Sequence, residues 1–112
     1  MTTIRDMVAA IQKELLLTDI TPHRAAELDN KLAALLGNCA AEIREADVAY
    51  AQVLLGCLQT EKATNRARVM SEVTPEYQRK REAKDTRELV IEMLRSCRNL
   101  CRVETEALRA LR

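Results

Sequence analysis

Residues 21–72 read TPHRAAELDNKLAALLGNCAAEIREADVAYAQVLLGCLQTEKATNRARVMSE, and this stretch decides the fold. Its apolar positions recur at steps of 4, 3, 4, 4, 3, 4, 3 and 4, a heptad pattern with one additional step of four at Cys39. These positions are Leu28, Leu32, Leu35, Cys39, Ile43, Ala46, Tyr50, Val53 and Cys57. The pattern predicts one long helix with an apolar seam that must pack against other helices.

Thr-Pro pairs at 21–22 and 74–75 mark where helices begin. Threonine is a good N-cap, and proline fits the first helical turn, where its missing N–H costs nothing. We therefore expect helices over 22–72 and 75–111, with the chain doubling back once near Val73.

A shorter first helix is expected over residues 3–17. Thr3 and Asp6 resemble a capping box, with aspartate in place of the usual glutamate. Its apolar face is formed by Ile4, Val8, Ile11 and Leu15. The sequence thus predicts three helices and little else, because two glycines and two prolines leave few turns.

The pair Gly37-Asn38 leaves two alternatives for the long helix. A glycine followed by an asparagine can end one helix and cap the next. The unbroken phase from Leu35 through Cys39 to Ile43 favours a continuous helix instead. We expect continuity, with a break at this pair as the alternative.

The predicted fold is all-α: an elongated antiparallel helical hairpin with a short N-terminal helix. Folding near Val73 would place Cys57 beside Val90 and Cys97 beside Tyr50. The apolar stripe of the long helix is broad, and a homodimer with a four-helix section would bury it. The positions that broaden it are Leu36, Ala40, Ala51, Leu54 and Leu58.

Composition limits the class of protein for residues 1–112, which are expected to form one domain. Hydrophobic residues make up 47% of the chain, aromatic residues 2%, and the formal net charge is +1. This balance argues against a protein that binds nucleic acid through bulk charge. No apolar run approaches the ~18 residues of a membrane span, and charged residues interrupt the N-terminal apolar positions. We therefore expect a cytoplasmic protein without membrane contact and with reduced cysteines.

No catalytic, cofactor-binding or metal-binding residue is predicted, and an enzyme is not expected. The four cysteines fall on apolar seams, where free cysteine behaves as a small hydrophobe; the alternative is a zinc site completed by a second subunit. His23 is expected at the surface, with a catalytic or ligand role as the alternative. Glu42, Glu45 and Asp47 lack the Glu-x-x-His pairs of di-metal helical bundles.

Arginines form a stripe along the last helix, spaced so that they share one face. One interpretation is a surface for phosphate or an acidic partner, since guanidinium groups bind both in bidentate geometry. The other, which we favour, is intramolecular, because the predicted hairpin places the stripe opposite Glu42, Glu45 and Asp47. The stripe comprises Arg95, Arg98, Arg102, Arg109 and Arg112.

A second group of cations lies at the predicted hairpin tip, residues 59–88, where the apolar seam thins. Acidic residues are interspersed among them. Such a tip can bind a partner or a nucleic-acid backbone, and it is also typical of a solvated helical end. The cations are Lys62, Arg66, Arg68, Arg79, Lys80, Arg81, Lys84 and Arg87.

The segments AEIREADVAY (41–50) and PEYQRKREAK (75–84), followed by a leucine- and arginine-rich helix, resemble small helical-hairpin proteins of bacteriophages and prophages. The similarity covers about residues 25–112 and transfers no catalytic residue. It implies a phage-encoded protein of the host cytosol that acts by contact, on a host or phage protein or near DNA processing.

These observations predict a non-enzymatic helical interaction module that binds a protein partner and needs no cofactor. The alternative is an accessory nucleic-acid-binding protein that uses the tip and the stripe. The candidate contact residues are Arg66, Arg68, Arg79, Lys80, Arg81, Lys84, Arg87, Arg95, Arg98, Arg102 and Arg109.

Overall fold

The computed structural model describes residues 3–17 and 19–111, and the described chain is all-α, as predicted. Arg112 of the predicted stripe, and Thr18 between the first two predicted helices, lie outside the described residues. The described part contains four helices rather than the three expected. They are α1 (Ile4–Leu17), α2 (Pro22–Thr60), α3 (Thr64–Glu72) and α4 (Pro75–Ala110).

The predicted helix starts are confirmed by their capping hydrogen bonds. At the start of α1, the Asp6 N–H donates to Thr3 Oγ1 at 3.1 Å, and the Thr3 N–H donates to the Asp6 carboxylate at 3.2 Å. At the start of α2, the Arg24 N–H donates to Thr21 Oγ1 at 3.2 Å. The Tyr77 N–H donates to Thr74 Oγ1 at 3.4 Å at the start of α4.

Helix α2 runs unbroken through Gly37-Asn38, which confirms continuity at that pair. It ends at Thr60, however, so the predicted end at residue 72 is wrong. Residues 61–63 are not helical, and α3 begins at Thr64 without a side-chain cap on Ala63. The long predicted helix is therefore two helices separated by a short turn.

The described helices form two compact units, to which α2 and α4 both contribute. Unit 1 contains Met1–Asn38 and Thr86–Arg112, and unit 2 contains Cys39–Asp85. In unit 1, α1 packs with the first part of α2 and the last part of α4. The core of unit 1 is aliphatic, with one thiol: Val8, Ile11, Ala25, Leu28, Leu32, Leu35, Val90, Met93, Leu94 and Cys97.

Unit 2 is formed by the second part of α2, by α3 and by the first part of α4. Its centre is Tyr50, which is 8% exposed and whose ring centroid lies 5.3 Å from that of Tyr77. Ser71 on α3 is fully buried and hydrogen-bonds to the Tyr50 hydroxyl. The other buried residues of unit 2 are Cys39, Ala46, Ala67 and Ala83.

The chain reverses direction at residues 61–63 rather than near Val73. In unit 2, Tyr50 contacts both Ser71 on α3 and Tyr77 on α4, so both helices run back along α2. The segment around Val73 therefore separates two helices of the returning arm, where Thr74 and Pro75 start the second. The prediction of a reversal at Val73 is wrong, although the helix start that it used is right.

The predicted register of the hairpin changes with the position of the reversal. Antiparallel packing of α2 against α4 is confirmed within unit 1, where Arg98 contacts Asp29 and Cys101 contacts Pro22. Cys97 thus belongs to the core of unit 1, whereas Tyr50 belongs to unit 2. Tyr50 contacts Tyr77 in unit 2, and Cys97 lies near Asp29 in unit 1, so the predicted pairing of Cys97 with Tyr50 is wrong. Cys57 belongs to unit 2 and Val90 to unit 1, and their pairing stays a prediction.

Candidate interaction surfaces

Arg79, a predicted tip residue, is held by ion pairs inside unit 2. Its Nε and Nη2 donate to the two carboxylate oxygens of Glu42 at 2.7 and 3.1 Å, and Nη2 also reaches Glu45 at 3.4 Å. The hydrogen bond from Arg79 lowers the pKa of Glu42, and the same bond raises the pKa of Arg79. The guanidinium charge is therefore already partnered within the chain.

Lys80 and Arg81 follow Arg79 and lie against aromatic rings of unit 2. The Lys80 Nζ lies 4.5 Å from the centroid of the Tyr50 ring, and the Arg81 guanidinium lies 6.0 Å from that of Tyr77. Lys80 Nζ also lies 4.0 Å from Asp47 Oδ1, a buried atom with no hydrogen-bond donor among the described residues. Lys80 thus carries the charge that balances Asp47.

The arginine stripe of α4 lies in unit 1, and its contacts are local or with Asp29. Arg98 Nε donates to Asp29 Oδ1 at 3.2 Å, and Arg95 Nη1 donates to Glu92 at 3.0 Å. Arg102 Nη2 donates to Asn99 Oδ1 at 2.8 Å. Together with Asn99, these three arginines line a shallow cleft of about 270 Å³.

The carboxylates that were predicted to face the stripe have other partners. Glu42 and Glu45 bind Arg79, and Asp47 faces Lys80. The predicted pairing of the stripe with these three carboxylates is therefore wrong, because the reversal at 61–63 shifts the register. The same shift gives the tip cations Arg79 and Lys80 an intramolecular role.

Five of the predicted contact residues are exposed and form neither an ion pair, nor a side-chain hydrogen bond, nor an aromatic contact within the described part of the chain. They do not lie in one unit: three belong to unit 2 and two to unit 1. The candidate cations are therefore divided between the two units. The five exposed residues are Arg66, Arg68, Lys84, Arg87 and Arg109.

The cysteines differ in exposure. Cys39 and Cys97 are buried, as predicted, and burial raises the pKa of the Cys97 thiol. Cys57 and Cys101 are only half-buried, and Cys101 Sγ lies 3.9 Å from the Pro22 carbonyl oxygen. Within residues 3–17 and 19–111, no three His, Cys, Asp or Glu side chains cluster as a metal site would require.

His23 lies at the surface, where the prediction placed it. Its side chain is 88% exposed, and Nε2 lies 2.8 Å from Glu27 Oε1 on the next turn of α2. This contact is between neighbours on one helix, and it gives the imidazole no nucleophile to activate.

Helix α2 carries exposed aliphatic side chains on the side of unit 2 that faces away from Tyr50. Val48 is 59% exposed, Leu55 57% and Leu58 41%. With the exposed Ala51 they follow steps of 3, 4 and 3, which places them on one face of the helix. We call Val48, Ala51, Leu55 and Leu58 the α2 aliphatic row.

Only half of this row was predicted from the sequence. Ala51 and Leu58 were named as flanks of the seam, whereas Val48 and Leu55 were missed. Their 3-4-3 spacing from Val48 to Leu58 was visible in the sequence and is the signal that could have revealed the row. The row was overlooked because the same helix also carries the longer apolar seam through Tyr50.

Unit 1 contains a groove of about 450 Å³ between α1 and α2. Three of its lining residues, Ile11, Leu28 and Leu35, are buried, whereas Ala10 and Ala34 are exposed. The groove therefore has an apolar floor from the core and a rim of small side chains. The remaining lining residues are Met7, Glu14, Arg24 and Lys31.

An ion-pair network lines the end of this groove nearest the α1–α2 connection. Arg24 Nε and Nη2 donate to the two Glu14 carboxylate oxygens at 3.0 and 2.7 Å, and Nη1 donates to Glu27 at 2.8 Å. Hydrogen bonds from Arg24 lower the pKa of Glu14 and of Glu27, and they raise the pKa of Arg24. This network was not predicted from the sequence.

Searches of protein-family models, of curated proteins and of solved structures find no match to this chain. In addition, none of the described helices combines the length and the apolar character that crossing a bilayer requires. Interpretation of function therefore depends on the surfaces described above.

Proposed function

We propose that the chain is a non-enzymatic helical interaction module that binds a protein partner through the α2 aliphatic row. The observation that carries this proposal is the exposure of Val48, Leu55 and Leu58 on one face of one helix. Scattered exposed aliphatic residues are normal on a protein surface. A row at steps of three and four is instead the pattern with which helices pack against each other.

A second copy of the chain is the simplest partner for this row, in keeping with the predicted homodimer. Another helical protein would use the same face, and the resemblance to phage proteins suggests a partner in a bacterial cytosol. Ion pairs support a protein partner over nucleic acid, because Arg79, Lys80 and Arg98 already face carboxylates within their units.

Site-specific photocrosslinking tests the proposal. A benzophenone amino acid at Leu55 should give a discrete crosslinked product, a dimer in the purified protein or one partner band in an extract of source cells. The same group at Gly56 is the matched control, because Gly56 is also exposed on α2 but follows Leu55 directly and so lies about 100° around the helix from it. Equal labelling at both positions, or no product at Leu55, would contradict the proposal.

Nucleic-acid binding is the second candidate function, favoured by the exposed cations that form no ion pair in the described part. Arg66 and Arg68 are exposed residues of α3 in unit 2, and they flank the buried Ala67 in the sequence. A salt titration with single- and double-stranded DNA tests it, since phosphate contacts make affinity fall steeply with added salt. Absence of binding at low salt, or affinity unchanged in Arg66→Ala/Arg68→Ala, rejects this function.

A further inference from the structure

We infer that the groove between α1 and α2 in unit 1 binds an amphiphile with an aliphatic chain and one anionic head group, such as a medium-chain carboxylate. This site lies in unit 1 and does not include the α2 aliphatic row. It is therefore separate from the protein contact proposed above.

The shape and lining of the groove suit an aliphatic chain. Its volume of about 450 Å³ falls within the range of about 300–1,000 Å³ that is usual for small-molecule sites. Ile11, Leu28 and Leu35 supply an apolar floor whose side chains are already fixed by the core of unit 1. The small rim residues Ala10 and Ala34 leave the space above that floor open.

The charges around the groove select the head group. Both carboxylate oxygens of Glu14 accept hydrogen bonds from Arg24, whose third nitrogen is taken by Glu27. Lys31, which also lines the groove, is exposed and forms no ion pair within the described residues. Its ammonium is therefore the charge at the rim that a ligand can still neutralise, and a carboxylate complements it.

The position of Lys31 relative to Glu14 supports this arrangement. The Lys31 charge contributes to the lowered pKa of Glu14, after the larger effect of the Arg24 hydrogen bond. The ammonium is thus close enough to the groove to act on a group inside it. A cationic head group would be repelled by Lys31, and it would find Glu14 already occupied by Arg24.

Isothermal titration with sodium decanoate and with decyltrimethylammonium, both below their micelle concentrations, tests the inference. The native protein should bind decanoate and should bind the cationic amphiphile at least about ten-fold more weakly, which corresponds to roughly 1.4 kcal/mol. Lys31→Glu should reverse that preference. Equal affinity for the two amphiphiles, or no decanoate binding, would overturn the inference.

A filled groove provides the second arm of the experiment. Ala34→Phe should occupy the groove and weaken decanoate binding at least about ten-fold. Ala26→Phe, at an exposed α2 position outside the groove, should leave binding unchanged. If circular dichroism shows that Ala34→Phe is unfolded, Ala10→Phe tests the same prediction from α1.

The same variants separate an amphiphile from a second copy of the chain. If a second copy fills the groove, Ala34→Phe will change the sedimentation mass and decanoate will not bind, and the inference fails. Crosslinking at Leu55 in Ala34→Phe reports separately on the proposed protein contact. A failure at one site is thereby distinguished from a failure at the other.

Discussion

The hydroxyl oxygens of Tyr50 and Ser71 lie 3.0 Å apart inside unit 2, where α3 packs against α2. Ser71 donates its own proton to the Arg68 carbonyl oxygen at 2.7 Å. The bond between the two side chains is therefore donated by Tyr50 and accepted by Ser71 Oγ. Since Ser71 is the buried polar residue among the described core residues, this bond fixes α3 in a specific position.

Substitutions of Tyr50 and of Ser71 should lower the free energy of unfolding by unequal amounts, and their effects should not add. Tyr50→Phe leaves Ser71 with its Arg68 partner and should lower the free energy of unfolding by about 0.5–1.5 kcal/mol. Ser71→Ala strands the Tyr50 hydroxyl and should cost about 1–3 kcal/mol. The double variant should cost little more than Tyr50→Phe. Urea unfolding measures all three, and strict additivity would show that the bond is not formed.

Gly37→Ala should stabilise the protein by about 0.4–1 kcal/mol, because alanine reduces the entropy of the unfolded chain. Gly37 lies inside α2, and a Cβ at this position would have no atom within 4 Å. Gly56 has the same open surroundings and serves as the matched position. A lower unfolding free energy for Gly37→Ala would indicate that the helix ends at Gly37.

The ion pair of Arg79 with Glu42 should make stability depend on pH. Because the pKa of Glu42 is lowered from 4.5 in the folded protein, its contribution is full above 4.5 and is lost as pH falls through the lowered value. Both side chains are more than one-third exposed, so Arg79→Met should cost only about 0.2–1 kcal/mol at neutral pH.

The pH dependence of the Arg79→Met effect is the decisive measurement. The difference from the native protein should approach zero well below the ordinary carboxyl pKa of 4.5. Arg87→Met, at an exposed residue without an ion pair among the described residues, should show no such pH dependence. If Arg79→Met lowers the free energy of unfolding equally at neutral pH and well below pH 4.5, the pairing is contradicted.

Thiol labelling of the native protein should divide the cysteines into two classes. Cys57 and Cys101 are half-buried and should react with iodoacetamide faster than the buried Cys39 and Cys97. Cys97 should be slower still than exposure alone suggests, since its raised pKa reduces the thiolate fraction. Peptide mass spectrometry after timed labelling measures the rates, and uniform rates would contradict the burial pattern.

Leu32→Ala and Leu55→Ala should differ widely in their cost. Leu32 is fully buried in unit 1, and its truncation should lower the free energy of unfolding by about 2–5 kcal/mol. Leu55 is mostly exposed in the isolated chain and should change it by no more than about 0.5 kcal/mol. A large cost at Leu55 in monomeric protein would mean that this side chain has a partner within its own chain.

The helix starts could be predicted because each is specified by residues next to it. Thr3 with Asp6, Thr21 with Pro22 and Thr74 with Pro75 act through hydrogen bonds and backbone geometry that span only three or four residues. Continuity through Gly37 was equally predictable, since the apolar phase on both sides required it. These features depend on residues close together in the chain, so a single sequence is enough to predict them.

The turn at residues 61–63 could not be predicted in the same way. It contains neither glycine nor proline, and Ala63 precedes α3 without a side-chain cap. What specifies it is the contact of Tyr50 with Ser71 and Tyr77, which joins residues far apart in the chain. The thinning of the apolar seam after Cys57 was the only local indication.

The sequence predicted which cations form the candidate surfaces but not which carboxylates they pair with. Arg79, Lys80 and Arg98 were predicted as candidate contact residues. Their actual partners depend on the register of the helices, which follows from where the chain reverses. The α1–α2 groove was missed because two small residues on different helices, Ala10 on α1 and Ala34 on α2, line it. A space between two helices that is left by small side chains cannot be recognised from the apolar spacing of either helix alone.

The last turns of α4 have a consequence for hydrogen exchange. Every residue from Arg102 to Ala110 is exposed, whereas Val90, Leu94 and Cys97 on the same helix are buried. The amides of the final turns rely on local helix propensity alone, and they can open without disturbing any core. Their protons should therefore be replaced by deuterium long before those around Leu94. One helix would then contain both rapidly and slowly exchanging amides.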